Sequence, residues 1–260
     1  MSPPKVFITG ASSGLGEALV RHYAARGAIV GMFARREAEL ARVADALPAG
    51  TVATYAGDVR DGGALAAAGG DFIARHGLPD IVIANAGVSR GTLTEHPQDL
   101  AAFRAVFETN VIGMVATFMP FAAAMQRARA GRLVGIASVA GFRGLAGSGA
   151  YSASKAAAMT YLESLRLEMR PFGVAVVTVC PGYIATPMTA RNPYRMPFML
   201  QPDVAASRIA RAIAQRRRFY VLPKSMALAA RGMRMLPRPI YDRMFVRAGR
   251  KPRTDEGAAD

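Results

Sequence analysis

Seven short apolar runs recur along the chain, each separated from the next by a stretch that can hold a helix. No other feature restricts the fold as strongly. Lys5–Thr9, Ala28–Ala34, Thr51–Tyr55, Asp80–Ala84, Arg132–Ala137, Val174–Cys180 and Phe219–Leu222 read as strands. Gly16–Arg26, Arg36–Leu47, Ala64–His76, Asp99–Arg129, Ala150–Arg170 and Val204–Arg216 read as helices. Runs such as IVIANAG and VAVVTVC are apolar almost throughout. Strands have that character when both sheet faces are covered. The expectation is an α/β fold: one doubly wound parallel sheet of about seven strands, with helices on both faces. No linker divides residues 1–223, and residues 224–260 form a C-terminal extension.

Composition narrows the class. Apolar residues make up 52% of the 260 and charged ones 20%, enough to build a core and exclude general disorder. The single cysteine, Cys180, excludes an intrachain disulfide framework. Met1–Thr9 runs directly into a strand-like KVFIT, so no secretory leader is expected. No uninterrupted apolar run is long enough to cross a bilayer. The expected location is cytoplasmic, with peripheral membrane contact open. The net charge of +15 is uneven: residues 216–253 hold 12 Lys and Arg against one acid, and residues 254–260 contribute −3. Such a segment attracts anionic surfaces.

The first strand leads into Thr9-Gly10-Ala11-Ser12-Ser13-Gly14-Leu15-Gly16 and then a helix. That order sets bare backbone amides and a helix N-terminus against a pyrophosphate. The spacing is T-G-x-x-x-G-x-G. With Asp58-Val59, Asn85-Ala86-Gly87, Asn110, Ser138, Tyr151-x-x-x-Lys155 and Pro181-Gly182 through Thr186, it resembles the short-chain dehydrogenase/reductases over about residues 4–222. The resemblance implies a single Rossmann-type domain and a catalytic tetrad of Asn110, Ser138, Tyr151 and Lys155. It implies cofactor contacts from Gly10, Ser12, Ser13, Gly14, Leu15, Gly16, Asp58, Val59, Asn85, Ala86, Gly87, Tyr151, Lys155, Pro181, Gly182, Ile184 and Thr186. In that reading Ser138 polarises the carbonyl, Lys155 also holds the nicotinamide ribose, and Asn110 anchors a water of a proton relay.

Two roles can be argued from the residues themselves. The second strand ends in Ala34-Arg35-Arg36, where an acidic residue would bond an NAD ribose. A guanidinium suits a 2′-phosphate, so the expected cofactor is NADP(H), with Arg35 as main contact and Arg36 as helper. Tyr151 and Lys155 are four apart and share a helix face. A nearby ammonium, helped by the cationic nicotinamide, is expected to lower the tyrosine pKa and fit it for proton transfer. His22, His76 and His96 show no ligand spacing, so no metal is expected. Cys180 reads as a small buried hydrophobe.

The loop Thr186–Gln201 carries three prolines, three methionines, Tyr194 and Phe198. Such a loop suits an apolar substrate, and by resemblance it is a lid; it reads equally as a loop packed down by its own residues. In the extension, Met226, Ala229, Ala230, Met233 and Leu236 recur at helical spacing among arginines. This basic amphipathic stretch reads as a membrane-surface element or as a helix packed on the body or on a partner. No nucleic-acid motif accompanies the charge, and no nucleic-acid partner is expected. The family pairs the helices at Asp99 and Ala150 between subunits, which implies a homodimer or homotetramer. The expected activity is NADP(H)-dependent interconversion of a small-molecule carbonyl and its alcohol. The alternative is an idle NADP(H)-sensing or membrane-surface adaptor with the same fold.

Overall fold

A computed structural model of the chain describes residues 3–190, 192–246, 249, 251 and 253. Residues 1 and 2 of the leading segment, 191 of the loop, and 247, 248, 250, 252 and 254–260 of the extension lie outside the described residues. The sheet has the strands β1 (Lys5–Thr9), β2 (Ile29–Ala34), β3 (Val52–Ala56), β4 (Ile81–Ala84), β5 (Arg132–Ile136), β6 (Ala175–Pro181) and β7 (Phe219–Leu222). Their order is β3-β2-β1-β4-β5-β6-β7, and every pairing is parallel. The helices are α1 (Gly14–Ala24), α2 (Glu37–Asp45), α3 (Gly62–His76), α4 (Asp99–Phe107), α5 (Gly113–Ala128), α6 (Gly149–Met169), α7 (Pro187–Ala190), α8 (Pro202–Ala214), α9 (Lys224–Met235) and α10 (Arg238–Phe245).

The side-chain alternation of β1 separates two cores. Val6 and Ile8 join Leu19 and Val20 of α1 and Ile209 and Ile213 of α8 on one face. Phe7 points the other way, into Phe72 of α3, Phe121 of α5 and Leu162 of α6. Its ring meets Phe72 edge-on at 5.7 Å and Phe121 at 4.9 Å. Both faces are thus covered, which is why the strands are apolar without a period of two.

The long expected helix from Asp99 is interrupted. Between α4 and α5, Glu108–Ile112 forms a widened π-helical turn, in which the Gly113 N–H reaches the Glu108 carbonyl five residues back. Asp99–Ala128 as a whole is the one helix among the described residues long and apolar enough, by length and mean hydropathy, to cross a membrane, although no uninterrupted apolar run within it is that long. Its buried residues, among them Met114, Phe118 and Phe121, pack into the second core.

Candidate active site

A cleft of about 310 Å³ opens at the carboxyl ends of the strands, where the order turns back between β1 and β4. Open parallel sheets bind ligands at this switch point. The glycine turn forms its floor. Gly10 and Gly14 hold positive φ, +67° and +56°, which costs glycine little. Space is equally restrictive: a Cβ on Gly16 would lie 2.0 Å from the Gly10 carbonyl oxygen, and one on Gly10 2.8 Å from Ala86 Cα. Asn85 ties this turn to β4, its Nδ2 donating to the Thr9 and Gly10 carbonyls at 3.1 and 3.2 Å. Ser13 precedes α1 without a side-chain capping bond. The first amides of α1 and the positive end of its dipole therefore remain for an anionic group. A bare, glycine-walled helix start of this kind fits the pyrophosphate of a dinucleotide.

At the end of β2, Ala34 is buried and both arginines are exposed. Arg36, rather than Arg35, reaches the glycine turn: its Nη2 donates to Ser13 Oγ at 3.0 Å and Ser12 Oγ at 3.4 Å. Arg35 acts at a distance on Asp58. That carboxylate is already engaged, accepting from Arg60 Nη2 at 2.6 Å and Nε at 3.0 Å. These bonds hold its pKa below the ordinary carboxylate range. Val59 is buried, with Gly113 of α5 packed close on its side chain.

The chemical end is built by β5, β6 and α6. Lys155 is buried, and its Nζ donates to the Ile136 carbonyl at 2.8 Å. The ammonium lies 5.8 Å from the Tyr151 ring centre. Burial pushes the half-buried Tyr151 phenol above its usual value, opposed by a hydrogen bond with Ser138. Burial also brings the Lys155 amine down to about 8. In the protein alone, desolvation outweighs the lowering expected at Tyr151, because the lysine sits beside the ring and spends its proton on a backbone carbonyl. Ser138 also caps the short turn Val139–Gly141, accepting from the Ala140 N–H at 3.1 Å. Cys180 is wholly buried and packs on Met159 at 3.5 Å, its thiol pushed up to about 12 by burial.

Every residue expected at the cofactor lines this one cleft, as do Ser138, Tyr151 and Lys155. Asn110 does not. It is fully buried behind the cleft in the widened turn. Its Oδ1 accepts from the Val88 N–H at 2.8 Å, and its Nδ2 donates to the Val88 carbonyl and Ser154 Oγ, both at 3.0 Å. It thus ties the segment after β4 to α6.

The sequence reading missed Val88, Thr109, Met188 and Thr189, which also line the cleft. Val88 and Thr109 adjoin recognised motifs, and adjacency was their only signal; Met188 and Thr189 lie in the loop Thr186–Gln201, already read as suited to an apolar substrate. It also missed the path of the extension. Tyr241 Oη donates to the Gly144 carbonyl at 2.7 Å. Lys251 Nζ donates to Ser89 Oγ at 2.7 Å and lies 6.0 Å from the Tyr151 ring. Arg253 pairs with the mostly buried Asp99 at 3.0 Å. The extension therefore runs past the mouth of the cleft, joining residues about a hundred positions apart or more that no local pattern relates.

Comparison with known proteins agrees with this geometry. Residues 4–195 match the family model described as short chain dehydrogenase. The chain is 37% identical to an uncharacterized oxidoreductase of Myxococcus xanthus, over 93% of this chain and 96% of that protein. A short-chain dehydrogenase from Streptomyces avermitilis superposes with a TM-score of 0.76 at 26% identity, covering 89% of this chain and 92% of that one. A 3-oxoacyl-[acyl-carrier protein] reductase from Brucella melitensis, solved with bound NAD, gives 0.71 at 29% identity, covering 84% and 88%.

Proposed function

The chain belongs to the short-chain dehydrogenase/reductase family of oxidoreductases, and from that premise we propose that it interconverts an apolar carbonyl compound and its alcohol with NADP(H), Tyr151 serving as general acid and base. The observation that carries this reading is the meeting of Ser138, Tyr151 and Lys155 in the cleft that the glycine turn floors. The α1 N-terminus, Asn85, Lys155 and Thr186 would hold the cofactor, which supplies or takes the hydride when bound. Ser138 Oγ and Tyr151 Oη donate to the substrate oxygen, and the Tyr151 proton passes to it as the alcohol forms. Lys155 orients from behind, and Asn110 positions α6 through Ser154. Met188, Phe198 and Met199 are exposed along the loop beside the cleft, which supports an apolar substrate. The test is NADPH oxidation against a panel of ketones and aldehydes that includes long-chain and steroidal ones. Turnover of none of them, by protein that binds NADPH, would favour the sensing role instead.

The choice of NADP(H) rests on Arg36 against Ser12 and Ser13 and on the absence of a carboxylate at the end of β2. Ala34→Asp with Arg36→Ala shifts the ratio of NADPH to NADH affinity toward NADH by at least about tenfold, because a charge-assisted bond is worth roughly 1.5–3 kcal/mol. Titration of both nucleotides into both proteins checks this, and a wild-type protein that prefers NADH refutes it.

A two-fold homo-oligomer, a dimer or a tetramer, belongs to the same reading. Leu100, Phe103, Ile112, Met119 and Leu167 stand exposed on α4, the π turn, α5 and α6, and large apolar side chains so grouped mark association sites. Light scattering at micromolar concentration gives at least twice the chain mass of 27.5 kDa. A monomer counts against the assembly without touching the chemistry.

A further inference from the structure

The extension has two apolar sides, and only one is used by the fold. α9 turns Met226 and Ala230 onto the body; Met226 lies close against Gly182 of the cleft. Of the stripe recognised in the sequence, Met226 and Ala230 are therefore consumed inside the molecule, Met233 and Leu236 are half-buried, and Ala229 is exposed. The opposite side of α9 carries Leu228 and Met235, two turns apart and 76% and 84% exposed. α10 buries Tyr241 and leaves Ile240, Met244 and Val246 exposed. Among the described residues, five of the sixteen exposed large hydrophobics fall within residues 228–246. That concentration along the chain far exceeds the share of residues involved and is more than scattered single exposure gives.

Charge identifies the occupant. Lys224, Arg231, Arg234, Arg238 and Arg243 are exposed on the same two helices, with Asp242 the one acid. None of the five cations has an ion-pair partner among the described residues. A second copy packed here about a two-fold axis would set these cations against their own kind. Single-stranded nucleic acid is met by aromatic platforms, whereas the exposed side chains here are aliphatic and thioether. Lys224 and Arg231 flank Leu228 on the outward side of α9, the arrangement of a helix that lies in a bilayer interface with cations at the headgroups.

We infer that the outward face of α9 and α10 docks the protein on an anionic lipid surface, with Leu228, Met235, Ile240 and Met244 entering the acyl boundary. Docking is independent of the redox reading, because none of these residues lines the cleft. The face nevertheless sits directly behind Met226 and Gly182, so a membrane-dissolved compound would meet the protein beside its active site.

The test is vesicle co-sedimentation of the full chain. The vesicles are phosphatidylcholine alone, or phosphatidylcholine with a minor share of phosphatidylglycerol. The wild type binds the anionic vesicles and releases them as salt rises from about 0.1 M to about 1 M, since each basic residue contributes about fivefold and is screened over that range. Leu228→Ser with Met235→Ser weakens binding at least tenfold, since burial of one such side chain is itself worth about tenfold. Arg231→Glu with Arg234→Glu does the same. All four positions are exposed, and unchanged circular-dichroism melting confirms that the variants fold. The inference is overturned if the wild type stays in the supernatant at about 0.1 M salt, or if either double variant binds as tightly as wild type. It is equally overturned if the Leu228 and Met235 variant turns an oligomer into a monomer, which would assign the face to a second copy, or if RNA competes the protein off the vesicles through the same residues.

Discussion

Tyr151→Phe lowers kcat by about 10²–10⁴-fold on any ketone the wild type reduces, and NADPH affinity changes by no more than about twofold. Only one oxygen is removed. In the folded protein burial holds the Tyr151 phenol above its usual pKa, so it carries its proton at neutral pH, the state that the proposed transfer to a carbonyl oxygen requires. The loss amounts to roughly 3–5 kcal/mol of transition-state stabilisation. Because the ring stays, the wall of the cleft beside Lys155 is unchanged. Steady-state rates and nucleotide titration on the same preparation check the separation. A variant retaining half the wild-type rate would remove Tyr151 from the proton step, and one that lost NADPH binding would make it a cofactor ligand first.

Lys155→Met has opposite effects on activity and stability. On the proposed reading turnover falls, because Lys155 would hold the nicotinamide ribose and lies beside the Tyr151 ring, while the melting temperature rises. The folded protein takes up the Lys155 proton only below about 8, against the usual 10.5. The unfolded chain therefore binds more protons throughout that window, and wild-type stability climbs as pH rises through it. Below pH 8 the full cost of the buried charge is present, about 3 kcal/mol. Methionine fills a similar volume without charge. Losing the bond from Nζ to the Ile136 carbonyl returns about 1 kcal/mol of that. The net gain of about 2 kcal/mol at neutral pH corresponds to roughly 4–8 °C. At about pH 10 the advantage largely disappears, since the wild-type amine is then neutral when folded. Calorimetry at the two pH values reads both parts. Melting of the variant below wild type at neutral pH would mean that the ammonium gains more from its surroundings than desolvation costs. A functional group that lowers stability in this way is the expected mark of a working site.

The two variants also separate what could be read from the chain and what could not. The strands and the parallel sheet were legible because short, near-continuous apolar runs alternate with helix-length segments, whatever the packing; β1 and β7 fall where the pattern puts them, and other strand ends move by about a residue. The glycine turn and the spacing of Tyr151 and Lys155 were legible for a related reason. A positive φ at Gly10 and a shared helix face four residues apart are local properties, set within one turn of chain.

Other features depended on where distant elements come to rest. That Arg36 and not Arg35 meets Ser12 and Ser13 depends on α2 beginning at Glu37 and on its angle to the turn after β1. The π turn at Asn110 follows from how α4 and α5 fit between Val88 and Ser154, contacts 22 and 44 residues away. The amphipathic pattern of the extension marked Met226 and Ala230 as apolar but not which side of α9 faces the body, and so it left Leu228 and Met235 unassigned. Lys251 beside Ser89 and Arg253 on Asp99 had no signal at all. Periodicity is a property of neighbours along the chain. The angle at which one element packs on another is set by side chains from several elements at once, and at this site that angle decides which cation, which hydroxyl and which apolar face meet.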